Sequence, residues 1–140
     1  MTPDCTSMQE RIELLGIIGE GRIFRIYKAR MGTKYIILKS AVHKDAMTTE
    51  FLRREYELGS TLSHSCIVTT LGFEEDTLAG PALVLEYIEG VSLEEYIATH
   101  PTDSATDRII DDILNGTDYL HHRGVLHNDL KPSNIIVNPH

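Results

Sequence analysis

Cysteine is scarce in this sequence. Cys5 and Cys66 are the only two in 140 residues, too few for a disulfide framework and in no metal-ligand spacing. Two free thiols in a reducing compartment are the expectation. No apolar run approaches the ~18 residues that a membrane span needs. The first ten residues, MTPDCTSMQE, lack the basic-then-apolar order of a secretion signal. These absences point to a cytoplasmic protein. Positive charge is also short. Thirteen Lys/Arg stand against 21 Asp/Glu, a net of −8, which argues against a general nucleic-acid binder. There is no internal repeat and no low-complexity stretch.

Hydrophobic residues make up 41% and charged residues 24%, the balance of a globular chain with one modest core. The charge is unevenly placed. Residues 1–70 carry ten Lys/Arg and eight Asp/Glu, and residues 71–140 carry three and thirteen. Such asymmetry suggests two regions with different work to do.

Patterning divides the chain further. Residues 1–10 read as a short tail. From Arg11 to about Leu38, Ile, Leu, Tyr and Phe are interrupted by Gly16, Gly19, Gly21 and Gly32, as in short strands joined by glycine turns. Tyr35-Ile36-Ile37-Leu38-Lys39 is apolar at successive positions until its last residue, which predicts a strand buried on both faces. The period then changes. Phe51, Leu58 and Leu62 share one face of a helix expected over 48–62, and Glu55 falls on that same apolar face. Strands are expected near Ile67–Phe73 and Ala82–Tyr87, with a turn at Leu78-Ala79-Gly80-Pro81 between them. Ser92 is placed to cap a short helix over 93–99 that Pro101 ends. Ser104-x-x-Asp107 resembles a capping box for a longer helix to about His122. Its expected buried stripe is Ile109, Ile110, Ile113, Leu114, Thr117 and Leu120, and Gly124 follows its end. Strands, helix, strands, then helices describe an α+β chain with a small sheet region first and a helical region second.

Three groups of residues carry chemistry. Gly19-Glu20-Gly21 lies inside an expected hairpin, where glycines let backbone N–H groups approach phosphate oxygens. A dinucleotide-binding loop would need a helix directly afterwards, and a strand-like run follows instead. Lys39 ends an apolar strand and Glu55 lies on an apolar helix face. Each is a candidate partner for the other, although Lys39 could equally emerge into water. Finally, HNDLKPSN, residues 127–134, packs polar groups between two apolar elements. Asp129 is suited to orient or deprotonate a hydroxyl, Lys131 to meet charge on a phosphoryl group, and Asn134 to ligate a hard cation. The same residues would also serve a polar surface turn.

In this order the stretches resemble the N-terminal part of a eukaryotic-like serine/threonine protein kinase. GEGRIFRIYKA resembles the glycine-rich loop over ATP, and YIILK the strand whose lysine holds the α- and β-phosphates. RREYELGSTLSHSCIV resembles the helix whose glutamate pairs with that lysine. LVLEYIEGVSLEEYI resembles the hinge that reads adenine, and YLHHRGVLHNDLKPSNIIV the catalytic loop with its flanks. The resemblance covers residues 11–140. It implies a small antiparallel-sheet lobe with one helix over 11–87, a hinge over 88–90 and the start of a helical lobe over 91–140. It implies ATP and Mg²⁺ as cofactors and a protein Ser/Thr hydroxyl as acceptor, with no nucleic acid involved. Carried over by position, Asp129 is the expected base, Lys131 the γ-phosphate contact and Asn134 the metal ligand. Lys39 and Glu55 form the ion pair. Ile18, Gly19, Glu20, Gly21, Ile26 and Ile37 line the nucleotide site with Lys39. Leu85 is the gatekeeper, and Glu86 and Ile88 offer backbone groups to adenine. Lys131-Pro132-x-Asn134 resembles the serine/threonine branch.

The chain departs from the family pattern at four places. Phe24 stands where a third glycine is usual. Asn128 replaces an arginine that pairs with a phosphorylated activation loop, so activity independent of that phosphorylation is expected. Ser92 and Ser133 replace acids that read basic substrates. The sequence reaches His140 before the Asp-Phe-Gly motif, so His140 reads as a break and the 140 residues alone are expected to transfer little or no phosphate. Two other readings remain. One is a truncated or inactive kinase-like module that holds nucleotide or a partner. The other is a small-molecule kinase of the aminoglycoside or choline type, which Lys131 and the glycine loop disfavour.

Overall fold

The computed structural model describes residues 12–100, 104–125 and 134–138. The chain divides into two compact units. The first runs to Ser63 and includes Thr69–Tyr87; the second joins His64–Val68 to the chain from Ile88 onward.

The first unit is built on a five-stranded antiparallel sheet. Its strands are β1 (Ile12–Glu20), β2 (Phe24–Met31), β3 (Lys34–Ala41), β4 (Thr70–Glu74) and β5 (Ala82–Glu86), in the spatial order β1-β2-β3-β5-β4. Met31 pairs with Lys34, so β2 and β3 are joined by the two-residue turn Gly32-Thr33, with Gly32 at φ 66°. The turn expected at 78–81 is closed by the Gly80 N–H donating to the Thr77 carbonyl.

Strand β3 alternates. Ile36, Leu38 and Ser40 are buried, while Tyr35, Ile37 and Lys39 lie on the other face and keep some exposure. The expectation of burial on both faces therefore fails for the second face. The core gathers on the first, from Ile12, Ala29, Ile36, Leu38, Ala82 and Val84, with Leu14, Tyr27 and Met31 packed against it. Ile36 is fully enclosed there. Ile36→Val, which removes one buried methylene, is expected to lower unfolding free energy by about 1 kcal/mol in a denaturant titration. Gly16 does not interrupt the sheet. It lies within β1, where the register with β2 shifts between Leu14 and Gly16 and again between Ile17 and Gly19, so these glycines accompany bulges rather than turns.

Helix α1 spans Ala46–Gly59. It starts two residues before the expected position because Asp45 caps it. The Asp45 carboxylate accepts the Thr48 N–H at 2.7 Å and the Thr48 hydroxyl at 2.8 Å. Those two bonds hold the Asp45 carboxyl below its ordinary range. A lowered folded value means that the cap contributes fully above the ordinary carboxylate range and is lost as pH falls through the folded value. Acid titration followed by circular dichroism is therefore expected to show a step in helicity below that range, absent in Asp45→Asn.

The buried face of α1 is not the expected one. Leu52 is fully buried and Thr48 nearly so, whereas Phe51 is 52% and Leu58 47% exposed. Leu62 lies beyond the helix end. The face is rotated because Gly59 meets Thr70 so closely that a Cβ would overlap its side chain, which turns the 48-52-59 line toward the sheet.

In the second unit, β6 (Val91–Ser92) pairs antiparallel with β7 (Ile136–Val137). Helix α2 (Leu93–Thr99) is capped by Ser92, whose hydroxyl accepts the Glu95 N–H at 3.1 Å. Helix α3 (Thr106–His122) begins after Ala105 without a side-chain cap bond. The Ser104 capping box is thus not used, since the helix starts too late for Ser104 to be its cap. At the other end, Val125 N–H reaches the Leu120 carbonyl and Gly124 N–H the His121 carbonyl, a Schellman ending with Gly124 at φ 74°. Of the expected stripe, Leu120 is buried, but Ile110 and Leu114 are 47% and 60% exposed. Gly116 is buried and packs on Cys66 and Ile67. That close approach explains why His64–Val68, assigned from sequence to the 11–87 lobe, groups with the second unit.

Candidate functional site

Strand register assembles the site. Ile26, Lys39 and Leu83 form one cross-strand row, and Lys28, Ile37 and Leu85 form the next, all on the face opposite the core. Helix α1 lies over the Leu83 end of this face. Phe73, the partner of Leu83, meets the Tyr56 ring at 6.5 Å. Ile26, Ile37 and Leu85 remain half-buried. Of the sequence-predicted apolar lining residues, Ile26, Ile37 and Leu85 thus share one surface with Lys39.

Lys39 is held by a partner rather than left to water alone. Its ammonium donates to Glu55 Oε1 at 2.9 Å and Oε2 at 3.2 Å. Their side chains are 22% and 43% exposed, so solvent screens the pair and its contribution to stability is about 0.2–1 kcal/mol. Its effect is positional. A flexible four-carbon stem is held at one point by a carboxylate on a neighbouring helix. The Phe24 ring is also present, its centroid 4.5 Å from Lys39 Nζ.

The β1–β2 loop is tied down. Gly21 N–H donates to the Phe24 carbonyl at 2.9 Å, and Val42 N–H to the Ile23 carbonyl at 2.8 Å. The Gly21 N–H is thus engaged within the loop. Arg25 donates to Glu20 at 2.6 and 2.9 Å, which commits the Glu20 carboxylate locally. Ile18 is 56% exposed at a bulge. Gly19 pairs with Ile26 beside the same irregularity. Gly21 has no positive φ, and a Cβ added there would meet nothing nearer than the Phe24 carbonyl oxygen at 3.5 Å, so the fold itself does not require glycine at 21.

On β5, Glu86 exchanges bonds with Thr69: its carboxylate accepts the Thr69 N–H at 2.8 Å, and its own N–H donates to the Thr69 carbonyl at 3.0 Å. Ile88 begins the main part of the second unit and is half-buried. Asn134 is exposed and lies two residues before β7; between them, the Ile135 carbonyl accepts the Leu93 N–H at 2.7 Å. Asp129 and Lys131, with the rest of 127–133, lie outside the described residues. Among the described residues no cluster of three His, Cys, Asp or Glu side chains could hold a metal, and no helix is long and apolar enough to cross a membrane.

Two features of this face were missed in the sequence. Alternation along β2 puts Phe24 on the side of Ile26 and therefore of Lys39, so the ring contact was accessible to a register argument. Lys28 lies 4.5 Å from the Tyr35 ring centroid and 4.6 Å from that of Tyr87. Its pairing with Tyr87 depends on the β3–β5 register, which no local signal reveals.

Residues 12–140 match the family model of the protein kinase domain. The chain belongs to the protein kinase family. Among curated relatives, it is 31% identical to the serine/threonine-protein kinase PrkC of Bacillus subtilis over 91% of this chain and 20% of PrkC. It is 30% identical to the serine/threonine-protein kinase pkn3 of Myxococcus xanthus over 92% of this chain and 24% of that protein. The MAP kinase kinase MKK1/SSP32 of Saccharomyces cerevisiae is 29% identical over 94% of this chain and 28% of its own length. The chain therefore spans between 20% and 28% of these kinases. Protein kinases as a family use ATP with Mg²⁺, and the five-stranded antiparallel sheet with one helix, followed by further helices, is the α+β architecture expected of a kinase N-lobe and the start of its C-lobe.

Proposed function

We propose that this chain is the nucleotide-holding portion of a cytoplasmic serine/threonine protein kinase, which transfers the γ-phosphoryl group of ATP to a protein hydroxyl. The observation that carries the reading is the Lys39–Glu55 bond on the same sheet face as Ile26, Ile37 and Leu85. An apolar wall suits a purine, and a positioned ammonium at its edge suits the phosphates. Glycine at 21, which the fold does not demand, leaves room for close approach by a ligand.

The residues present fit the two cofactors. Lys39 is the candidate contact for the α- and β-phosphates, with Glu55 as its positioning residue. Ile18, Gly19, Glu20, Gly21, Ile26, Ile37 and Leu85 are the candidate lining, and Glu86 and Ile88 the candidate backbone contacts to adenine. Asn134 offers the amide oxygen of a hard-cation ligand. When bound, Mg²⁺ neutralises phosphate charge. Asp129 is the candidate base toward the acceptor hydroxyl, and Lys131 the candidate γ-phosphate contact. In this reading residues 11–87 and 91–140 serve as the two lobes and 88–90 as the hinge.

Two measurements test the reading. The chain is expected to bind Mg²⁺–ATP by calorimetry. The full-length protein is expected to move labelled γ-phosphate to a Ser/Thr peptide, and to stop doing so as Asp129→Asn. Failure of both to bind ATP would refute it.

A further inference from the structure

Phe24 stands where the family pattern has glycine, and its placement is fixed by the sheet. It is the first residue of β2 and pairs with Ala41. Its carbonyl accepts the Gly21 N–H, and the preceding carbonyl of Ile23 accepts the Val42 N–H. The backbone on either side is therefore hydrogen-bonded, and rotation of the side chain moves the ring without breaking those bonds. The ring centroid is 4.5 Å from Lys39 Nζ, which also donates to both Glu55 oxygens.

An ammonium has three N–H donors, and any anion that uses Lys39 must come to about 2.7–2.9 Å of Nζ. A carboxylate already takes one side. An aromatic face within van der Waals reach takes another, and it attracts the same positive charge through its quadrupole. A phosphate oxygen and the Phe24 ring therefore compete for Lys39. From this geometry, and resting on the nucleotide-binding role proposed above, we infer that Phe24 is a cap on Lys39. Its ring covers the ammonium in the absence of ligand and must turn aside for a phosphate to reach it. The cap acts on phosphate, not on the base. It lowers affinity for ATP while leaving affinity for adenosine, which presents no charge to Lys39, as it is.

The test compares the native chain with Phe24→Leu, which keeps an apolar side chain without a π face, and Phe24→Tyr, which keeps the ring. Each is titrated with Mg²⁺–ATP and with adenosine. Phe24→Leu is expected to bind ATP about two- to fivefold more tightly than the native chain, with adenosine affinity unchanged and Phe24→Tyr like the native chain. A second measurement needs no nucleotide. Lysines are reductively methylated with ¹³C, and the Lys39 signal is assigned by its loss in Lys39→Arg. That signal is expected upfield of the other lysines in the native chain and Phe24→Tyr, and to join them in Phe24→Leu. ATP is expected to release the upfield shift in the native chain. A Lys39 signal unshifted in the native chain overturns the cap. Equal ATP affinities, or parallel changes for ATP and adenosine, overturn the competition with phosphate alone. Binding of neither ligand by any variant overturns the nucleotide reading, and the cap's role falls with it.

Discussion

Replacing Lys39 with methionine is expected to lower phosphoryl transfer by the full-length protein about a hundred- to a thousandfold, the usual consequence of losing one positioned donor to developing charge. Methionine keeps length and apolar bulk, so the strand packing around Ile37 and Leu83 is preserved. The pair with Glu55 is half-exposed and contributes only about 0.2–1 kcal/mol to stability. The melting temperature should therefore move little while kcat/KM collapses. Glu55→Gln should reduce turnover less, because the amide can still accept from the ammonium. Undiminished turnover in Lys39→Met would refute the assignment of Lys39 to the phosphates.

Gly90→Ala is expected to open the small β6–β7 ladder. Gly90 has φ 156°, a conformation that side chains rarely adopt, and a Cβ there would overlap the carbonyl of Val137. Backbone strain and overlap together demand about 3 kcal/mol. A two-residue ladder holds less than that, so the strands separate rather than absorb the clash. The readout is hydrogen exchange of the Leu93 amide, which donates to the Ile135 carbonyl at 2.7 Å. Its protection should fall about a hundredfold or to the limit of the open state, whichever is smaller. Unchanged protection would show that the β7 backbone yields. Because Asn134 lies two residues before this ladder, the same substitution tests whether the position of the candidate cation ligand depends on it.

The elements read most directly from sequence were those whose signals are local and repeated. The β-rich pattern before residue 41, the Gly80 turn, the Ser92 cap and the Gly124 ending each rest on a few neighbouring residues. The Lys39–Glu55 bond was legible for a different reason: opposite charges on apolar elements are costly unless they meet. What escaped depended on distant partners. The face of α1 was assigned from Phe51 and Leu58, yet its rotation is set by Gly59 against Thr70, a contact between a helix and a strand eleven residues later. Gly16 looked like a breaker because a bulge and a turn use the same residue. The bond from the Gly21 N–H to the Phe24 carbonyl, which closes the loop, carried no signal in the sequence.

Among the described residues, strand β1 ends the sheet on one side, and it is long and apolar, with Leu15, Ile17 and Ile18 all more than 40% exposed. A straight edge of that kind would recruit other chains into intermolecular β-structure. Its two register shifts twist the strand and break the regular spacing of its outward amides. Irregularities of this kind at Gly16 and Gly19 make an edge a poorer template for such pairing, so substitutions that restore a regular β1 are expected to raise aggregation, read by light scattering.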